Sequence, residues 1–237
     1  MDSNYSITEY YRTLFNRNAG CEIKMPETEV YSLTANPLGA FYDITDQLQS
    51  VIDEAHQNGG GIVVLSSGTF AVSRTIKLKK GVVLVGAGEN ATTISAKNGC
   101  DFKMGFDDVD FATFDSSHPE RNTWATDWAP HYKKYDHKAL VRIYDDAGMN
   151  NIHIEIGHGI TWGVLVASND GTNHCFGAFL NKVTIDGGSM YSYDDRDFGE
   201  TTNAVMCTCS NTEFTIFDCR FLTQIRPTRR YQRKEYI

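Results

Sequence analysis

Residues 152–156 read Ile-His-Ile-Glu-Ile, residues 183–186 read Val-Thr-Ile-Asp, and residues 214–217 read Phe-Thr-Ile-Phe. The alternation of apolar and polar side chains is the period of a strand with one buried face. The first residues of these segments lie 31 positions apart, and each segment follows a turn containing asparagine: Asn151, Asn181 and Asn211. Before each turn stands a further apolar strand, at residues 140–144, 175–180 and 204–209. A strand–turn–strand unit repeated at such a period is a solenoid signature, because a rung that cannot bury its apolar face alone is completed by the rungs above and below. The alignment predicts stacking across rungs: Glu155 over Asp186, and His153 over Thr184 and Thr215 on the same face.

Upstream, short apolar runs at residues 62–65, 70–72, 76–78, 82–85 and 92–94 are punctuated by Gly68, Gly81, Gly86 and Gly88. Short strands without intervening helices suit a sandwich or a solenoid; the downstream repeat selects the solenoid. Ahead of them, residues 43–58 carry the clearest helical pattern. Leu48, Val51, Ile52 and Ala55 form one apolar stripe, Asp43 or Thr45 can cap the start, and Asp46 suits the positive end of the dipole. Gly59-Gly60-Gly61 ends the helix. One stripe on one helix needs something to cover, and the open end of the solenoid, with its core and strand edges, is what it would shield.

With those residues in view, the stretch DITDQLQSVIDEAHQNGGGIVVLSSGTFAVSRTIKLKKGVVLVGAGENATTI (residues 43–94) resembles the opening of the pectate-lyase superfamily. The shared features are the capping helix, Gly60-Gly61-Ile62-Val63-Val64-Leu65, Gly68-Thr69-Phe70, and the rung from Gly81 to Gly88; Ser66-Ser67 stands where proline is usual. The resemblance implies an all-β chain, a right-handed parallel β-helix (solenoid) with an N-terminal capping helix. It says less about reaction, because hydrolases, lyases, epimerases and phage tailspikes share this opening.

The chain divides into an N-terminal extension (residues 1–40), a β-helix (41–222) with a long loop insertion (101–138), and a basic tail (223–237) after the β pattern stops. If rungs are missing at that end, the last one exposes an edge and favours a homo-oligomer. A net charge of −8 argues against a nucleic-acid partner, and no stretch reaches the ~20 apolar residues of a membrane span. The expected location is extracellular or cell-surface, although no signal peptide is visible in this chain. Six cysteines fit no zinc spacing; they read as small hydrophobes of the interior, with a Cys209–Cys219 disulfide as the alternative.

Three groups of residues suit chemistry. Glu155 and Asp186, stacked ~4.8 Å apart across rungs, would raise one another's proton affinity or hold a cation, and lie near the ~5–5.5 Å spacing of a retaining glycosidase. A solvated polar face is the plain alternative. Tyr191, Tyr193, Asp194, Asp195, Arg196 and Asp197 fall in a loop between rungs, where solenoids place binding residues. They could supply an acid, a base or Ca2+ ligands, or form an ordinary acidic loop. The insertion holds Trp124, Trp128 and Tyr132, flat faces on which a sugar ring can stack. Gly157-His158-Gly159 and Asp145-Asp146 echo polygalacturonase fragments, but the flanking elements of that pattern are absent and the match reads as coincidence.

The expectation is a carbohydrate-active protein on a polysaccharide or oligosaccharide, either glycoside hydrolase or polysaccharide lyase. In a hydrolase, two acids among Glu155, Asp186, Asp194, Asp195 and Asp197 would act. In a lyase, Arg196, His153 or His158 would remove a proton α to a uronate carboxylate, with Ca2+ as the cation considered. The alternative is a non-catalytic glycan-binding or tailspike-like module, or a truncated inactive fragment.

Overall fold

The start of a helix leaves backbone N–H groups without partners, and the Asp43 side chain takes up one of them. In the computed structural model, which describes residues 30–97, 139–156, 160, 162–166, 174–187, 203–207 and 211–222, helix α1 spans Thr45–Gln57. Asp43 Oδ1 accepts from Thr45 N (3.0 Å), and Thr45 Oγ1 in turn accepts from Ser73 N (2.8 Å). Burial pushes the Asp43 carboxyl up, but hydrogen bonds from Ser73 and Thr45, with the charge of Lys97, outweigh it and hold the group below its ordinary value. A folded value below the unfolded one means stability that is present above the ordinary carboxylate range and lost on acidification. Asp43→Asn should therefore lower stability at neutral pH and flatten its decline below roughly pH 4, as read from chemical denaturation at a series of pH values.

The predicted stripe is the one that packs. Leu48, Ile52 and Ala55 are fully buried and Val51 lies against the same core. Three devices then close the strand edges at this end. Strand β1 (Val30–Leu33) pairs in parallel with β2 (Gly61–Leu65). Ile44 N donates to Ala71 O (2.9 Å) on β3 (Gly68–Val72). The Gln49 side chain accepts from Lys77 N (2.9 Å) and donates to Lys77 O (3.1 Å) on β4 (Ile76–Leu78), acting as one residue of an extra strand. Each contact takes up part of the edge that β2, β3 or β4 would otherwise present to another chain. β1 falls inside the segment that the sequence suggests is an extension, so the sheet already starts at Val30.

The chain then climbs in rungs, every pairing parallel. The next strands are β5 (Val82–Val85), β6 (Thr92–Ala96), β7 (Ala139–Ile143), β8 (Gly148–Glu155), β9 (Trp162–Val166), β10 (His174–Asp186), β11 (Asn203–Cys207), β12 (Asn211–Phe217) and β13 (Arg220–Leu222). One sheet runs β1-β2-β5-β8-β10-β12 and turns a corner into β3-β6-β8-β10-β13; the other runs β4-β7-β9-β11. This is the parallel β-helix read from the sequence. Although residues 97–138 separate β6 from β7, β7 still pairs with β4 without a slip, Ile76 to Val141 and Leu78 to Ile143.

β8 and β10 each pass through the corner on a single left-handed residue, Asn151 (φ 55°) and Lys182 (φ 50°), and Asp218 (φ 48°) repeats this between β12 and β13. These positions correct the predicted register. The step from β8 to β10 is 31 residues, with Val183 beside Ile152 and Asp186 beside Glu155. The next step is longer: Thr215 lies beside Phe179, and Arg220, not Thr215, lies beside Thr184. The third aligned segment is thus the strand before the corner. Strands on either side of a corner share the same two-residue alternation, so the pattern alone cannot tell them apart. The asparagines likewise shift: Asn181 Nδ2 donates to Asn150 Oδ1 (2.9 Å), one residue ahead of the corner.

Inward residues make one axial core from Leu48 through Val63, Leu84, Met149, Ile154 and Ile185. A second buried cluster, Ile62, Val83, Val85 and Phe179, lies on the opposite side of the first sheet, where the Phe179 ring fills the space left by Gly148. Cys175 is a buried small hydrophobe, as expected, whereas Cys207 is exposed. Cys219 is a free thiol donating to Phe217 O (3.2 Å), so the alternative disulfide is not formed. At the far end of the described residues, inward Ile216 and Phe221 are 45% and 43% exposed: the core there is open.

Candidate functional site

Past the corner, the outward residues of four strands fall into two rows. The first is Thr93, His153, Thr184 and Arg220; the second is Ser95, Glu155, Asp186 and Leu222. Parallel pairing places neighbours in a row ~4.8 Å apart, and the rows ~6.6 Å apart along each strand. The buried apolar residues between them, Ile94, Ile154 and Ile185, fix the outward set by packing inward. Glu155 and Asp186 therefore stand side by side, as the sequence predicts, with Glu155 exposed and Asp186 half-buried. His153 stands beside Thr184, and its Nε2 is buried without a hydrogen-bond partner.

The corner beside these rows forms a cleft of about 410 Å3. Asn151, Lys182 and Asp218 line it from one side, and a loop between β5 and β6 lines it from the other through Glu89 and Asn90. That loop is anchored where Gly86 N donates to Asn150 O (2.9 Å) and Thr92 Oγ1 to Ser66 O (2.8 Å). Glu89 reaches across two rungs: Oε2 accepts from Thr184 Oγ1 (3.1 Å) and Oε1 pairs with Arg220 (3.4 Å). The carboxylate is only 23% exposed, so it is largely committed to these partners and ties the loop to the last rung. Two carboxylates and two cations leave the cleft without net charge.

Of the predicted residues, the structure brings together Glu155, Asp186 and His153. Tyr191, Tyr193, Asp194, Asp195, Arg196 and Asp197 lie outside the described residues, as do His158, Trp124, Trp128 and Tyr132. Asp145, in the fragment set aside as coincidence, serves the local backbone, its Oδ1 accepting from Phe176 N (2.8 Å). Among the described residues no group of three or more ligand-type side chains could hold a metal ion; the Ca2+ expectation rests on the aspartate loop. Sequence reasoning missed Glu89, Lys182, Asp218 and Arg220. Lys182 and Asp218 become legible only once the corner is located, and Arg220 only once the longer step is known. Glu89 offered a weak signal, an acid in a loop bounded by Gly88 and Asn90.

A model of the family described as rhamnogalacturonase A/epimerase, pectate lyase-like, matches residues 37–127, which include the whole of the 43–94 stretch that resembles the pectate-lyase superfamily. The chain is 41% identical over 69 residues to alginate lyase 7 of Azotobacter vinelandii, covering 26% of this chain and 8% of that protein. Among solved structures it is similar to the A-module of mannuronan C-5 epimerase AlgE6 of Azotobacter vinelandii (TM-score 0.46, 15% identity, 77% of this chain and 42% of that one). It is also similar to the tailspike of E. coli bacteriophage HK620 in complex with a pentasaccharide (TM-score 0.44, 16% identity, 81% and 35%). The chain spans less than half of each of these solved chains and under a tenth of alginate lyase 7.

Proposed function

We propose that this chain is the glycan-contacting part of a polysaccharide-processing protein, and that the outward face of β6, β8, β10 and β13 carries its chemistry. The observation behind the reading is the register that sets Glu155 beside Asp186. Two carboxylates so placed suit acid/base cleavage of a glycosidic bond: one protonates the leaving oxygen, and the other attacks the anomeric carbon or activates water. His153, one row away on the same strand, is a further proton carrier.

A lyase is the second reading, supported by the family description and by the identity shared with alginate lyase 7. There a base, His153 or Glu155, would take the proton α to a uronate carboxylate, and the glycosidic oxygen would leave from the β carbon with a double bond formed between. Action on an extracellular polysaccharide would put the working location at or outside the cell surface.

The test is incubation of the purified chain, with and without calcium, with neutral and uronic-acid polysaccharides, following new reducing ends and the ultraviolet absorbance of unsaturated uronates. Reducing ends alone are the expected result. Reducing ends with absorbance would establish the lyase instead. Binding without either signal would leave a glycan-binding module of the tailspike-like kind.

A further inference from the structure

The corner of the solenoid could be turned by glycine, which adopts left-handed backbone without strain. Instead three side chains occupy it: the amide of Asn151, the ammonium of Lys182 and the carboxylate of Asp218, in left-handed conformation on successive rungs. Lysine in particular is disfavoured there. Backbone held in sparsely populated regions concentrates at binding and catalytic sites, where the side chain delivered justifies the conformation. All three line the same cleft of about 410 Å3, within the ~300–1,000 Å3 typical of small-molecule sites.

The cleft contains two kinds of polar group. Glu89 and Arg220 are engaged with each other, and Glu89 also with Thr184. The side chains of Asn90, Asn151, Lys182 and Asp218 make no hydrogen bond or ion pair among the described residues. These four offer an ammonium that only donates, a carboxylate that only accepts, and two amides that do both. A ligand matching that set must donate and accept at neighbouring atoms, which is what vicinal hydroxyls do. An anionic sugar would gain from Lys182, but it would meet Asp218 and the Glu89 carboxylate in a cleft of no net charge, on a chain of net charge −8.

We propose that this corner cleft is a subsite for a neutral, hydroxyl-bearing sugar residue of the polysaccharide. The inference rests on the reading that the adjoining outward face engages glycan. Asp218 accepts from one hydroxyl, Lys182 donates to its neighbour, and Asn90 and Asn151 hold the ring from the loop and the lower rung. Glu89, fixed by Arg220 and Thr184, positions Asn90 rather than touching the sugar.

Glycine substitutions separate a binding role from a structural one, because at these φ values glycine removes the side chain and relieves the backbone. Titration calorimetry on the full chain would compare neutral hexasaccharides of gluco, galacto and manno configuration with hexamers of galacturonate and mannuronate, at low and high salt. The expected result is neutral-sugar binding insensitive to salt, weakened on the order of ten-fold by Asp218→Gly and by Lys182→Gly, with melting temperatures not lowered. Lys182→Asn, a side chain tolerated in this conformation, provides a second variant. Binding of uronates alone, lost at high salt, would overturn the neutral subsite and leave the polysaccharide reading standing. Neutral binding that survives all three variants but is lost in Glu155→Gln would also overturn it, placing the sugar on the strand face. No binding of either class would overturn both.

Discussion

Glu155→Gln is expected to lower turnover by about 10²–10⁴-fold, the range in which a positioned acid or base contributes to bond cleavage. The substitution preserves shape and removes only the ability to carry a negative charge or release a proton. Glu155 is exposed at the outward end of β8, so its loss should leave stability within about 0.5 kcal/mol. Asp186→Asn should have an effect of the same order, and the double variant should lose little more than either single one, because groups that act as a unit are not additive. Steady-state kinetics on whichever polysaccharide yields reducing ends would check this, with unfolding curves run in parallel. Turnover that stays within about three-fold of the parent would remove the stacked pair from the chemistry and direct attention to His153 or to the aspartate loop.

The second large effect belongs to stability. Gly86→Ala should cost about 3 kcal/mol or more. A Cβ there would meet Asn151 O at 2.3 Å, Ile152 Cγ1 at 2.9 Å and Thr92 Cβ at 2.9 Å. The first is backbone and the others sit at the roots of buried side chains, so nothing nearby can swing away. Gly59→Ala is the control: its φ of 95° is strained for alanine, but a Cβ would meet nothing within 4 Å, and only the conformational cost of about 1 kcal/mol applies. Equal losses in denaturant unfolding would mean that the close approach of rungs at Gly86 is not what requires glycine. A larger loss at Gly86 would place the corner among the tightest contacts of the fold.

Much of this molecule is legible before folding. The helix stripe of Leu48, Ile52 and Ala55 is set by a 3.6-residue period, and the strands by a two-residue one; both periods report burial, which is what the fold is built on. The Glu155–Asp186 pairing was equally readable, because the β8 to β10 step keeps one length on both sides of the corner. The reading failed at the following rung for a geometrical reason. Alternation is blind to corners, and a corner made by a lysine carries no turn signal, while the lone Asp218 resembles any surface aspartate. The cleft was hidden for the same cause. Its walls come from residues 89, 151, 182 and 218, whose proximity depends on three corners being superimposed. Gln49 shows a related limit, since a helix amide that completes a strand edge is indistinguishable in sequence from any exposed glutamine.

The unbroken pairing of β4 with β7 across residues 97–138 bears on how such a chain can change over generations. Closing a longer excursion costs only ~0.6 kcal/mol of chain entropy for each doubling of its length, while the two strands it joins are held by rungs already in place. By that scaling, doubling the length of chain between Ala96 and Ala139 would cost the scaffold little closure entropy. A mutation in the shared interior is tested against every neighbouring rung, whereas a change in the length of this connection leaves the β4–β7 register to the strands themselves. The same register can accordingly be inherited while the length of chain joining its strands varies.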